Sequence, residues 1–192
     1  VIYPPVDVHL WSVDPQARGH RSGIASFARF EHWKRHDIQL RLIRGMESRL
    51  RMIGRAVREE EVAYLERLKE IARDNDHVEF CVNLPQNEVK SLLCSSKVFI
   101  HTADREPFGI TTVEAIAAGC VPIVREDGAA SEIVPFEELR FEAIEEGREK
   151  IQRALAGEYD RLLPKLADHI QQFDEQRFKQ KMMKTLVELA DQ

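Results

Sequence analysis

An open, parallel α/β sheet covered by helices on both faces is the fold this sequence predicts, and three observations predict it. The chain has 192 residues, enough for one well-packed core. Short apolar runs alternate with amphipathic helical stretches from about residue 24 to about 134, the rhythm of strands buried on both sides. Beyond about Phe141 the pattern is helical only, and no strand is expected there.

The elements follow in order. Tyr3-Pro4-Pro5-Val6-Asp7 is stiff and extended, because each proline fixes its own φ and biases its predecessor away from helix; it reads as part of a linker over 1–23. The run 24–28 is a strand that gives way at Arg29 to a loop and helix, and 50–53 before Gly54 is a second strand. A helix over 59–73 is expected to bury Val62, Leu65, Leu68 and Ile71. Strand 78–82, helix 88–94, strand 98–100, helix 112–118, strand 121–124 and a short helix from Ser131 complete the alternation. Ile144, Ile151 and Leu155 mark one later helix, Leu162, Leu166 and Ile170 another, and Phe178, Met182, Leu186 and Leu189 a last one. The expected division is a linker over 1–23, a ligand-binding domain over 24–156 and C-terminal helices over 157–192.

Composition excludes several classes. A net charge of -5 leaves no broad basic face for nucleic acid, so any phosphate site must be local. No apolar run approaches the roughly 18 residues a bilayer crossing needs. Cys81, Cys94 and Cys120 are odd in number, widely spaced and set among apolar residues, which predicts reduced core thiols in a cytoplasmic protein. The opening Val1-Ile2-Tyr3 has neither an initiator Met nor a signal peptide, and the expectation is a piece of a larger protein.

Chemistry in such a sheet belongs at the carboxyl edge, where helix N-termini present free N–H groups and partial positive charge. After strand 98–100, the loop from His101 to Gly109 runs into a helix beginning near Ile110 or Thr111. Gly109 permits close backbone approach, and the amides of Gly109, Ile110 and Thr111 suit a phosphate or sugar oxygen. Glu106 can accept hydrogen bonds from sugar hydroxyls, and Glu114, one turn into the helix, can hold a diol with two oxygens.

The stretch Glu106-Pro-Phe108-Gly109-Ile110-Thr111-Thr-Val-Glu114, followed by Ala115-Ile116-Ala117-Ala118-Gly119, resembles the E-x7-E signature of family 4 glycosyltransferases. Arg29-Phe-Glu-His-Trp-Lys34 is similar to the family's Arg and Lys five residues apart after the first strand of this domain. The linker, Met52-Ile53-Gly54, and Val78-Glu79-Phe80 ahead of Leu84-Pro85 add to the likeness, which covers roughly residues 1–134. Within the family, 78–85 with His101-Thr102 and the 106–110 segment look like the α-1,2-mannosyltransferases that extend dolichol-linked oligosaccharide.

That resemblance implies a Rossmann-like sheet forming the C-terminal half of a GT-B fold, and retaining transfer from a nucleotide sugar, GDP-mannose first, to a glycan or lipid-linked acceptor. It implies Arg29 and Lys34 as the cations that neutralise the departing diphosphate without a metal. Glu106 would grip the donor sugar and Glu114 the ribose. Phe108, Gly109, Ile110 and Thr111 would bind the donor, and Asn83 and Leu84 would seat its base. No metal or other cofactor is expected. An N-terminal domain outside this chain would carry the acceptor, and the protein would work in the cytoplasm, either free there or at the cytoplasmic membrane face. Two departures stand out: Ala28 where the family usually has Gly, and Ala129-Ala130 within its usual Gly-rich loop.

Other features have bland and sharp readings. His32 and His36, four apart on an expected helix, have the spacing of a metal pair but no third ligand. His101 can touch ligand or be structural; Arg105 can meet phosphate or balance Asp104; Phe30 and Trp33 can line a cleft or pack. Two other functions remain open from sequence: a nucleotide-sugar epimerase of similar architecture, and a non-catalytic α/β binding module.

Overall fold

The computed structural model describes residues 2–12 and 21–190. The polar, Gly-containing part of the expected linker, 13–20, lies outside the described residues, as do Val1 and Asp191-Gln192. The elements are Val8–Trp11 (α1), Ile24–Phe27 (β1), His36–Leu42 (α2), Leu50–Gly54 (β2), Glu59–Ala72 (α3), Val78–Val82 (β3), Gln86–Ser95 (α4) and Val98–His101 (β4). They continue with Ile110–Ala117 (α5), Val121–Arg125 (β5), Ala130–Ile133 (α6), Arg140–Phe141 (β6), Ile144–Ala156 (α7), Leu163–Ile170 (α8) and Glu175–Ala190 (α9).

All six strands are parallel, in the order β3-β2-β1-β4-β5-β6. β1 is central, with Ile24 opposite Leu50 on one side and Val98 on the other. Helices cover both faces, so the inner strands are mostly apolar on both sides, and all four residues of β4 are buried. Leu50, Phe99 and Ile123 have no exposed surface, each burial stabilising by roughly 1.5–3 kcal/mol. The loops of the site therefore hang from the best-buried strands.

Three details differ from the sequence reading. β6 was not anticipated: two residues are too short to show a period, and only its pairing with β5 defines it. Helix α3 buries Glu61, Tyr64, Leu65, Leu68 and Ala72, whereas Val62 and Ile71 are 43% and 56% exposed. The stripe is rotated because Glu61 turns inward to cap the helix, accepting from the amides of Val57 (2.9 Å) and Arg58 (3.1 Å). Finally, residues read as a linker carry α1, capped by Asp7 Oδ1 to Leu10 N at 2.8 Å and packed on α5. Val6 bridges to Asp174 at the start of α9, tying the two ends of the chain together.

Helix α7 ends where Gly157 takes φ 91. Beyond it α8 packs on α5, while α9 leaves Met183, Leu186, Val187 and Leu189 more than half exposed.

Candidate functional site

The strand order reverses between β1 and β4, where a parallel sheet opens a crevice at its carboxyl edge. The two sequence motifs end up on opposite sides of that crevice. Arg29 and Lys34 follow β1, and the segment Glu106 to Glu114 follows β4.

A polar latch holds the two sides together. The buried Thr102 hydroxyl lies 2.9 Å from the Arg35 carbonyl oxygen and 3.1 Å from that of Lys34, and it accepts from Gln39 Nε2 at 3.2 Å. The Asp104 amide donates to the Trp33 carbonyl at 2.8 Å. Asp104 itself pairs with Arg35 at 3.1 Å and with Arg125. Arg105, its sequence neighbour, is exposed with φ 51, and its amide donates to Asp127 Oδ2 at 3.0 Å.

The latch delivers Lys34 to Glu106. Lys34 Nζ donates to Glu106 Oε2 at 2.6 Å, and His101 Nε2 lies 3.1 Å from the same oxygen. Burial penalises the Glu106 charge, but the hydrogen bonds from His101 and Lys34 outweigh it and hold the carboxyl down at about 2. The Lys34 ammonium also sits 3.8 Å above the Trp33 ring, a cation–π contact. Arg29 is 56% exposed, with Nη1 3.2 Å from Glu31 Oε1. Glu31 also pairs with Arg58 and accepts from Trp33 Nε1 at 2.7 Å.

Gly109 begins α5 at φ +94, a conformation side chains rarely take. Gly128, at φ +58, is needed for a second reason as well: a Cβ there would meet the Glu106 carbonyl oxygen at 2.3 Å. The Gly128-Ala129 loop lies flat on the Glu106 backbone, with Ala129 N donating to Glu106 O at 3.0 Å. The loop that departs from the family pattern thus supports Glu106. Phe108 is buried, stacked on Tyr3 (5.9 Å between centroids) and edge-on to Phe173 (5.2 Å), so both chain ends anchor the motif loop.

Two adjoining cavities open here. The smaller, about 550 Å³, is lined by Arg29, Lys34, Glu106, Phe108 and Gly109. The larger, about 850 Å³, is lined by Trp11, Asn83, Leu84, Val89 and Glu114. Phe27, Arg55, Ile110 and Thr111 line both. Asn83 takes φ 55, and its amide is engaged twice with the Ala56 peptide, accepting from N and donating to O, each at 3.0 Å. Its side chain shapes the wall, and Leu84 supplies half-buried apolar surface. Glu114 is half-buried, and burial pushes its carboxyl up to about 7 against an opposing hydrogen bond from Trp11.

The structure brings together Arg29, Lys34, Glu106, Phe108, Gly109, Ile110 and Thr111 in one cavity and Asn83, Leu84 and Glu114 in its neighbour. His32 and His36 do not form a pair on one helix face. Arg35 at φ 53 breaks the chain between a 3-10 turn and α2, and His36 is fully buried, 5.0 Å from the Phe30 ring. Its burial lowers it to about 3, keeping it neutral. Among the described residues no cluster of His, Cys, Asp or Glu suits a metal. Sequence reasoning missed Trp11, Glu31 and Arg55. Asp7 as a helix cap would have flagged Trp11; no local signal marks the other two.

An open parallel sheet reversing between β1 and β4, with paired cavities at that reversal, is Rossmann-like, and solved glycosyltransferases of the GT-B fold share it. Sucrose-phosphate synthase from Thermosynechococcus elongatus superposes with a TM-score of 0.84 at 20% identity, over 99% of this chain and 52% of that one. Anabaena HepE in complex with UDP and glucose gives 0.78 at 19% identity, over 97% and 56%. The model of the family Glycosyl transferases group 1 matches residues 11–172, and the chain belongs to that family. The GDP-Man:Man(3)GlcNAc(2)-PP-Dol alpha-1,2-mannosyltransferase of Dictyostelium discoideum is 29% identical over 218 aligned residues, covering all of this chain and 43% of the relative. The chain therefore spans less than half the length of that relative.

Proposed function

We propose that this chain is the donor-binding half of a retaining glycosyltransferase that moves mannose from GDP-mannose to a hydroxyl of a lipid-linked glycan without a metal. The observation that carries the reading is the Lys34–Glu106 contact of 2.6 Å at the sheet reversal, beside a second cavity large enough for a nucleoside. In it, Glu106 holds a sugar hydroxyl while Lys34 and Arg29 meet the phosphate that leaves with the bond electrons. The acceptor oxygen bonds to the anomeric carbon on the face the phosphate leaves, and the departing phosphate takes its proton. Glu114 holds the ribose, and Leu84 lies against the base.

The choice of GDP-mannose rests on the name of the Dictyostelium relative, a GDP-Man-dependent mannosyltransferase, and the nucleotide-sugar class also on the UDP and glucose bound to HepE. The acceptor site belongs to a domain that this chain does not span, and the work is done on the cytoplasmic side.

Calorimetry of the 192-residue chain in EDTA with GDP, UDP and ADP tests the reading. GDP is expected to bind, and GDP-mannose to bind better than GDP; no heat from any nucleotide at millimolar concentration sinks it. Lys34→Ala should weaken GDP far more than guanosine. Equal losses for both would remove Lys34 from the phosphate.

A further inference from the structure

From the wall common to the two cavities, we infer that Arg55 is a third cationic contact to the donor, serving the phosphate next to the nucleoside. This rests on the donor-binding reading above. A donor whose nucleoside fills the larger cavity and whose sugar lies by Glu106 must thread its diphosphate past Phe27, Arg55, Ile110 and Thr111. Phe27 and Ile110 offer only apolar side chains there, and Thr111 a hydroxyl. Arg55 is the charged member of that wall.

The charge balance points the same way. Arg29 faces Glu31, and Lys34 faces Glu106. Arg55, exposed at the carboxyl end of β2, has no ion pair among the described residues. Its position is fixed from behind: the Phe30 amide donates to the Arg55 carbonyl at 3.0 Å, and the preceding Gly54 lets the strand approach β1, where a Cβ would meet the Ala28 carbonyl oxygen at 2.1 Å. A guanidinium held there with no carboxylate partner suits the two free oxygens of a phosphodiester-like α-phosphate.

The division of labour follows from which cavity each cation lines. Arg29 and Lys34 line only the sugar side, so they meet the phosphate that bears the sugar and gains charge as the bond breaks. Arg55 lines both and meets the inner phosphate, whose charge hardly changes, so it binds ground and transition states alike.

Calorimetry on Arg55→Gln with GDP, GMP and guanosine, UDP and UMP run alongside, decides it. The variant is expected to lose about 10-fold in affinity for both GDP and GMP and nothing for guanosine, whereas Lys34→Ala loses GDP and spares GMP. Arg55→Lys should recover part of the loss. Wild-type affinity for GMP in Arg55→Gln, or an equal loss for guanosine, overturns the assignment while leaving the donor site standing. A wild-type chain that binds no nucleotide removes the donor site and this contact with it.

Discussion

Thr102 Oγ1 and the Arg35 carbonyl oxygen lie 2.9 Å apart, joining the loop after β4 to the turn after β1 across 67 residues of sequence. That buried contact, more than any local preference, puts Lys34 beside Glu106. Thr102→Val keeps the shape but leaves the carbonyls and Gln39 without their partner. It should cost about 1–2 kcal/mol in urea denaturation and weaken GDP in calorimetry. Unchanged GDP affinity would show that the latch does not position Lys34.

Glu106 also contributes stability of its own. Its folded value, about 2, lies below the ordinary 4.5, so its charge favours folding above pH 4.5 and that contribution fades as pH falls through about 2. A shift of that size corresponds to about 3 kcal/mol at most. Glu106→Gln should therefore lower stability at pH 7, with the gap to wild type closing in acid. A gap constant from pH 7 to pH 3 would argue that shape, not charge, is what the variant loses.

Glu114 has the opposite sign. Its folded value is raised from 4.5 to about 7, so it costs nothing below pH 4.5, and the penalty grows between 4.5 and 7 and is full above. Glu114→Gln should raise the melting temperature at pH 8 and change it little at pH 4.5. If the ionised form grips the ribose, guanosine affinity of the wild type, free of any phosphate titration, rises through pH 7 while that of the variant stays flat. A flat wild-type profile would end the ribose assignment.

Gly128 and Gly45 make an internal control. Both have positive φ, but a Cβ at Gly45 meets nothing within 4 Å, whereas at Gly128 it meets the Glu106 carbonyl oxygen at 2.3 Å. Gly45→Ala should cost about 1 kcal/mol, the backbone term alone. Gly128→Ala should cost at least about 2 kcal/mol and disturb sugar-dependent binding, because backbone must move. Equal costs in urea denaturation would mean that the Glu106 loop yields freely.

The alternation of strands and helices, the parallel sheet and the two motifs are legible in the amino-acid order, because burial on both faces leaves mostly apolar strands and Gly109 allows the left-handed turn into α5. The sequence's resemblance to a family to which the chain belongs also suggests Arg29, Lys34, Glu106 and Glu114 as donor contacts, which the binding experiments test. Which charges meet is set by the folded chain. Lys34 and Glu106 are 72 residues apart, and Glu31 engages Arg29, Arg58 and Trp33 through a turn no periodicity describes. It moved Trp11 from a linker to the wall beside Glu114, and it split His32 from His36 at a left-handed Arg35. It left Arg55 facing both cavities without a carboxylate partner among the described residues. Such facts escape a linear reading because ion pairing, desolvation and cavity walls depend on distances through space, which the sheet order sets between segments far apart in the chain.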